Sequence, residues 1–298
     1  MQVNPIIDKD LKTKMRGWKA PTLVSVYLGF LLLVVFLFFF FNNNQQMYNY
    51  GYSNFSPRIA INAFNTLALI QLIMLLFITP ALTGGAISGE RERQTLDLLL
   101  CTSFSPFKIV IGKIFVSIAH ILLLITASLP IISIVFLYGG VSLTDILLLF
   151  LFFIATAFML GSLGVFYSTI FKKTIVAIIV TYLTILIITA GTVIVMLLWR
   201  EWVNTWFNTS MYIRYEPTYK EMASFLFPNP FFGFGSVIEG TATNNSFFGT
   251  FVGLANGTIF AQNNGEVVVK SWMLNILFDV VMSAILIFFS TKRIKPAK

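Results

Sequence analysis

The chain has 298 residues, 57% of them hydrophobic and only 11% charged, with a mean hydropathy of +0.85; ordinary globular proteins are about a quarter charged, so a water-soluble fold is excluded and a membrane protein is indicated. The net charge of +8 would suit nucleic acid, but the basic residues are confined to particular loops, which excludes that partner. The single cysteine, Cys101, allows no intramolecular disulfide and no thiolate metal cluster, and is expected to pack as a small apolar residue.

The opening stretch NPIIDKDLKTKMRGWKAP places Ile6, Ile7, Leu11, Met15 and Trp18 three and four residues apart with lysines between them. That pattern predicts an amphipathic helix over residues 1–20 lying in the membrane interface, with Trp18 at headgroup level; a plain basic tail is the alternative. Pro21 suits the first turn of the span that follows.

Charge-free runs at Ala20–Phe41, Ile59–Gly89, Ile114–Thr144, Ile146–Phe171 and Thr174–Trp199 each reach the roughly 20 residues that cross a bilayer core. A sixth run, Ser271–Thr291, carries one charge, Asp279. The first span is not expected to be a signal peptide, because a polar stretch precedes it and no small-residue cleavage pattern follows. The Asn-, Tyr- and Gly-rich stretch FNNNQQMYNYGYSNFSP between the first two spans reads as an outer loop with aromatic anchors. Ala157, Gly161, Gly164 and Ser168 in span four recur at intervals of three and four, a face on which another helix can approach closely. The long segment 200–270 holds Pro217, Pro228 and Pro230, so it cannot be one spanning helix. Its first part reads as short interfacial or re-entrant elements, and its later part as Gly- and Asn-rich turns with short strands.

Of the 20 lysines and arginines, fifteen lie before span one, between spans two and three, between four and five, or after span six, and five lie on the other side. Cytoplasmic loops carry that excess, so both termini and the loop after span two are expected to face the cytoplasm.

That loop, AISGERERQTLDLLLCTSFSPFKIVIGKI, holds the densest charge cluster in the chain. Arg93 and Asp97 sit four apart, as do Glu90 and Gln94, which predicts a helix leaving the membrane with its charges mutually paired. Thr95 then caps a short helix over Leu96–Leu100 presenting Leu96, Leu99 and Leu100 on one side, and Ser105 followed by Pro106 opens the next helix. An apolar face rimmed by charge is what a docking surface requires. A solvated turn whose charges only enforce topology is the alternative, and the residues alone do not choose between them.

No nucleotide-binding G-x-x-x-x-G-K-[ST] stretch is present: Gly112-Lys113 has Phe107 where the first glycine is required and Ile114 where a hydroxyl is required. Zinc-protease, nucleophile-elbow and paired-cysteine spacings are missing too. The chain is expected neither to hydrolyse ATP nor to run covalent catalysis.

SGERERQTLDLLLCTSFSPFKIVIGK resembles the stretch between spans two and three of permease subunits of type-2 export-class ATP-binding-cassette (ABC) transporters. NPIIDKDLKTKMRGW resembles their opening, and NPFFGFGSVIEG and TKRIKP resemble segments flanking their last span. Asp10 stands where glutamate is usual, Lys14 where arginine is, and Phe104 precedes Ser105, all keeping charge or apolarity. The resemblance implies an all-α membrane protein with six transmembrane helices and one permease domain over 1–298. It implies a cytoplasmic coupling segment at 83–112 and an extracytoplasmic loop at 200–270. It further implies pairing with a second permease and docking of a coupling helix on separate cytoplasmic ATPase subunits. Glu90, Arg91, Glu92, Arg93, Thr95, Leu96, Asp97, Leu98, Leu99 and Leu100 then lie at or beside that contact, with ATP and magnesium on the partner and no cofactor on this chain. The same likeness implies an exporter, expected as a multi-pass protein of the bacterial cytoplasmic membrane; the large aromatic outer loop and the 32 phenylalanines suggest an amphiphilic or lipid-like cargo, with a peptide or drug as the alternatives.

The rival class is an ion-coupled secondary transporter or channel built on Asp279. A charged side chain at bilayer depth costs about 3 kcal/mol, so Asp279 is expected to face the bundle interior. Asn275 lies one turn earlier on the same face, and His120 and Gln71 from other spans are candidates to complete a transport path; His120 lacks the companions a metal site needs.

Overall fold

The computed structural model describes residues 18–50, 57–96, 100–101, 105–137, 140–210, 226–238, 262–263, 266–267 and 270–294. Nearly all of the expected interfacial helix, together with Asp97, Leu98, Leu99 and most of the 200–270 segment, lies outside the described residues. The described chain is helical apart from one antiparallel pair in the long loop, β1 (Gln262–Asn263) with β2 (Glu266–Val267), in which Gln262 faces Val267 and Asn263 faces Glu266. The Asn264-Gly265 dipeptide between them is the sequence signal for such a tight hairpin.

Among the described residues six helices are long and apolar enough to cross a membrane: Pro21–Phe41, Ile59–Glu92, Pro106–Ser133, Leu143–Ile170, Thr174–Val203 and Ser271–Arg293. The first belongs to α1 (Lys19–Tyr50), which continues helically through the Asn- and Gln-rich stretch expected to be a loop. Once nucleated, a helix propagates until something breaks it, and no glycine or proline interrupts this stretch before Gly51. The second is α2 (Pro57–Thr83), followed by a turn and then α3 (Ser88–Glu92). At 34 residues this candidate overshoots the roughly 20 needed for the hydrocarbon core, so its charged end projects beyond it. Next come α4 (Pro106–Ala127) and α5 (Leu129–Leu137), separated by a turn at Ser128. Ser105 and Pro106 open α4 as expected, with extended backbone at Ser105 but no hydrogen bond from its hydroxyl.

The fourth span, α6 (Leu143–Ile170), starts with a capping box: Asp145 N donates to Ser142 Oγ at 3.2 Å, and Ser142 N donates to the Asp145 carboxylate at 3.0 Å. α7 (Thr174–Leu186) runs through a π-helical segment, Ile187–Gly191, into α8 (Thr192–Ser210). This helix extends eleven residues past Trp199, where the long loop was expected to begin. Trp199, Trp202 and Trp206 stack along that extension, with ring centroids 5.5 and 6.1 Å apart, as suits residues at a membrane interface. The buried α9 (Pro230–Val237) and the sixth span, α10 (Ser271–Arg293), complete the chain.

The third- and fourth-span windows are each 61% buried, against 11% for the first and for the fifth; α4 and α6 therefore lie inside the bundle, while α1 and α7 turn apolar flanks outward. Phe152, Phe153, Leu149 and Ala157 of α6 have no exposed surface. Among the residues of α1 whose burial is described, Tyr27 and Leu31 are the buried ones, with the Tyr27 hydroxyl directed to Ser128 and Gln71. The small-residue face of α6 is filled from within the same chain. A Cβ on Gly164 would lie 2.0 Å from Thr83 Oγ1 and 2.9 Å from Thr83 Cβ, and one on Gly161 would lie 3.2 Å from Ile118. The end of α2 thus seats directly on the α6 backbone.

Gly164→Ala should lower the thermal stability of the purified chain by about 1–3 kcal/mol through overpacking. Gly29→Ala, where a Cβ meets nothing within 4 Å, should be neutral or stabilising by up to about 1 kcal/mol. Equal effects at the two sites would contradict the close approach of α2 to α6.

Candidate functional site: the charged junction and the buried polar residues

The charge cluster is a junction between helix ends. Gly84 and Gly85 let the chain bend after α2 while α7 lies against the bend: a Cβ on Gly84 would come 2.7 Å from Ile178 Cγ1, and one on Gly85 2.9 Å from Thr174 Cγ2. α3 then begins with Ile87 at its N-cap position, which has no side chain suited to capping. Ser168 of α6 supplies the cap from outside, its Oγ accepting from Ile87 N and Ser88 N, each at 2.8 Å. The Ser88 hydroxyl donates to Gly84 O at 3.1 Å and meets Thr174 Oγ1 at 3.3 Å.

Each of the next three side chains engages a different helix. Glu90 pairs with Lys113 of α4, Oε1 to Nζ 2.7 Å, with the lysine side chain 9% exposed. Arg91 donates to the last carbonyls of α6 and its cap, Nη2 to Thr169 O at 3.3 Å and Nη1 to Phe171 O at 3.5 Å, where a cation also complements the helix dipole. Glu92 accepts from Thr174 N and Thr174 Oγ1, both at 2.8 Å, and so caps α7, whose own N-cap residue Lys173 makes no side-chain bond. The hydrogen bonds from the Thr174 backbone and hydroxyl hold the Glu92 carboxyl below the usual carboxylate range. Burial alone would raise that of Glu90, but hydrogen bonds from Lys113 and Thr95 outweigh it and hold it low as well.

The helix stops there. Gln94 takes a left-handed conformation, φ 57°, its N–H donates to Arg91 O at 3.1 Å, and Thr95 N donates to Glu90 O at 2.9 Å. The expected continuation of span two, with Glu90 paired to Gln94, does not form; Glu90 turns inward to Lys113. Thr95, expected to cap the following helix, instead directs its hydroxyl to the Glu90 backbone oxygen and carboxylate. Leu96 and Leu100 are helical, but Leu96 is buried against Ile87, Val110, Ile114 and Val165 of the same chain, with Leu100 packed on that cluster. Among the described residues of this segment the outward ones are Glu92, Arg93, Gln94, Cys101, Ser105, Phe107 and Lys108; Cys101 is exposed rather than packed as a small apolar residue.

The four polar residues considered for a transport path belong to separate junctions. Gln71 Nε2 donates to Ser128 Oγ at 2.8 Å, tying α2 to the α4–α5 turn. His120 Nδ1 lies 3.4 Å from Val116 O of its own helix. Asp279 faces the interior as expected, 2% exposed, and accepts from Thr156 Oγ1 of α6 at 3.2 Å. Asn275 makes its bonds elsewhere, donating to Phe227 O at 2.8 Å and Asn229 O at 3.4 Å. Sequence reasoning missed Lys113, Ser168 and Thr174 as partners of the charged helix, and Thr156 as partner of Asp279. The position of Lys113 two turns inside an apolar helix, where a charge needs a partner, was the available signal.

An apolar cavity of about 390 Å³, open on the side of the exposed Phe77 and Leu186, lies between α2 and the α7–π segment, walled also by Leu76, Tyr182, Ile185, Thr189 and, from α9, Phe231. The Tyr182 hydroxyl is consumed by Phe77 O at 2.6 Å and the Thr189 hydroxyl by Ile185 O at 2.8 Å, leaving the walls hydrophobic.

A multi-pass helical bundle with a charged junction at one end and an apolar cavity among its spans describes a membrane permease. Over residues 42–289 the chain matches the family model described as ABC-2 family transporter protein, and it belongs to that family. It is an ABC transporter permease and a multi-pass membrane protein. No curated protein is significantly similar to it.

Asp279→Asn keeps an acceptor for Thr156 and removes a charge that bilayer depth penalises, so thermal stability should be unchanged or higher. Asp279→Ala strands the buried Thr156 hydroxyl and should cost about 1–3 kcal/mol. Equal losses for the two would contradict a structural role and reopen the transport-path reading.

Proposed function

We propose that this chain is the non-catalytic permease subunit of an ATP-driven exporter, paired with a second permease, and that separate cytoplasmic ATPase subunits carrying ATP and magnesium drive it through segment 83–112. The observation that carries this reading is the junction at α3. A five-residue helix tied by one charge to α4, by the next to the end of α6 and by the third to the start of α7 cannot move alone. A push on the adjoining outward surface would displace three spans together and bias the bundle between two packings. The fifteen-to-five charge asymmetry puts this junction on the cytoplasmic face. The chain itself lacks the glycine-rich phosphate loop a motor needs.

Because Leu96 is buried in the chain's own core, the partner's contact is the rim of Arg93, Gln94 and the exposed residues from Cys101 to Lys108. The hydrophobic walls of the 390 Å³ cavity favour an amphiphilic or lipid-like cargo, and the bacterial cytoplasmic membrane is the setting we infer.

Affinity purification of the tagged chain from its native membrane should bring with it a protein bearing nucleotide-binding motifs. Arg93→Glu should leave the permease inserted while reducing that retention several-fold, as reversal of a rim charge does. Leu96→Asp should instead abolish accumulation of the folded chain, since it buries an unpaired carboxylate. Purification of an active transporter with no ATPase attached would overturn the proposal.

A further inference from the structure

The segment before α9 is held on two sides by asparagines. The turn Leu226–Asn229 leads into α9 with Asn229 as N-cap and Pro230 at the first helical position, Asn229 Oδ1 accepting from Phe231 N at 3.0 Å. The amide nitrogen of the same side chain reaches the fifth span: Nδ2 donates to Thr189 O at 2.8 Å and lies 2.9 Å from Thr192 Oγ1. Thr189 sits within the π-helical segment and Thr192 is the first residue after it, the one π-helical stretch among the described residues. Such segments are rare and recur at functional sites. From the other side Asn275 of α10 donates to Phe227 O and Asn229 O. Gly233 is pressed onto the Asn275 amide, where a Cβ would come 2.7 Å from Cγ and 2.8 Å from Oδ1. Asn229 is 2% exposed and Asn275 not exposed at all. Two residues beyond Asn229, Phe231 forms a wall of the 390 Å³ cavity whose opposite wall includes Thr189 itself.

One side chain therefore sets both the start of α9 and its distance from the π segment. We propose that Asn229 is a positioning residue for transport, a latch that fastens the α9 turn to the fifth span and keeps the Phe231 wall of the cavity shut, so that release of Asn229 from Thr189 and Thr192 is the step that opens this wall to water. The inference concerns the cavity and its gate and rests on the reading of the chain as a permease, not on the identity of the motor or the cargo. The carbonyl and hydroxyl it uses lie on a span whose first residue, Thr174, is capped by Glu92 of the charged helix, so a displacement of the junction is carried along the same helix to the catch.

The test uses the full-length chain in its native membrane, with Cys101→Ser to remove the native thiol and Phe231→Cys as reporter. A water-soluble maleimide is applied to both membrane faces, so that the outcome does not depend on topology. Asn229→Ser retains a good N-cap but is too short to make both bonds to the π segment, and should raise the labelling rate of the Phe231→Cys thiol on the order of tenfold. Thr192→Val leaves Asn229 and its cap untouched and removes one partner, and should raise the rate in the same direction by less. If Asn229→Ser fails to reach the membrane, Thr192→Val decides alone. Labelling rates in the variants equal to the parent's would overturn the latch, even if an ATPase co-purifies and the permease reading stands.

Discussion

Inside a bilayer the backbone groups at a helix end have no water to bond, so every interruption of a span must be closed by protein. Much of this molecule follows from how that demand is met. Two helices at the charged junction do not rely on their own caps: Ile87 and Lys173 occupy N-cap positions without capping bonds. Ser168 serves the first, Glu92 the second, and Arg91 the carbonyls at the end of α6. Satisfying a helix end with a side chain from another helix joins the two elements; the five residues SGERE do this twice, through Arg91 and Glu92, and their own start is closed in the same way by Ser168. The same constraint operates in the deeply buried α9 turn, where Asn275 binds its carbonyls and Asn229 ties it to the π segment. Both junctions place polar bonds between elements at interruptions, which are also the places where a helix bundle can change shape.

The glycines and small residues make those junctions sterically accessible. Without the open face at Gly161 and Gly164, Thr83 could not lie against α6, and Ser168 would not reach the start of α3. Small-residue stripes in membrane helices serve close approach in general. Here the stripe is used within the chain, to seat the element that carries the charges.

The number and order of spans were legible because a run of apolar residues long enough to cross a bilayer is a strong signal, and the Ser105-Pro106 start of α4 and the inward-facing Asp279 could be read as well. The extents of α1 and α8 were not, because polar composition marks a loop only when a breaker accompanies it; 42–50 and 200–210 have none. At the charged segment, local i,i+4 arithmetic paired Glu90 with Gln94. The tertiary partner Lys113, 23 residues away, won because a buried lysine needs a carboxylate more than an exposed glutamine does. The same error assigned Leu96 to a partner's surface: an apolar face on a short helix does not say whether it meets another protein or its own core. Asn275 and Asp279 share a helix face as their spacing requires, yet the short turn before α9, invisible to periodicity, takes the bonds of the first.

The central claim is that α3 and the start of α7 move as one body when the transporter works. A Cβ on Gly89 would lie 3.8 Å from Thr174 Oγ1, so a cysteine at each position brings the two sulfurs close enough to attempt a bridge. In a Cys101→Ser background, Gly89→Cys combined with Thr174→Cys should oxidise readily in the native complex. Its transport and ATPase activities should be the same with the bridge closed as after reduction. If closing the bridge abolishes transport and reduction restores it, the two elements must separate during the cycle, and the junction is not the rigid coupling described.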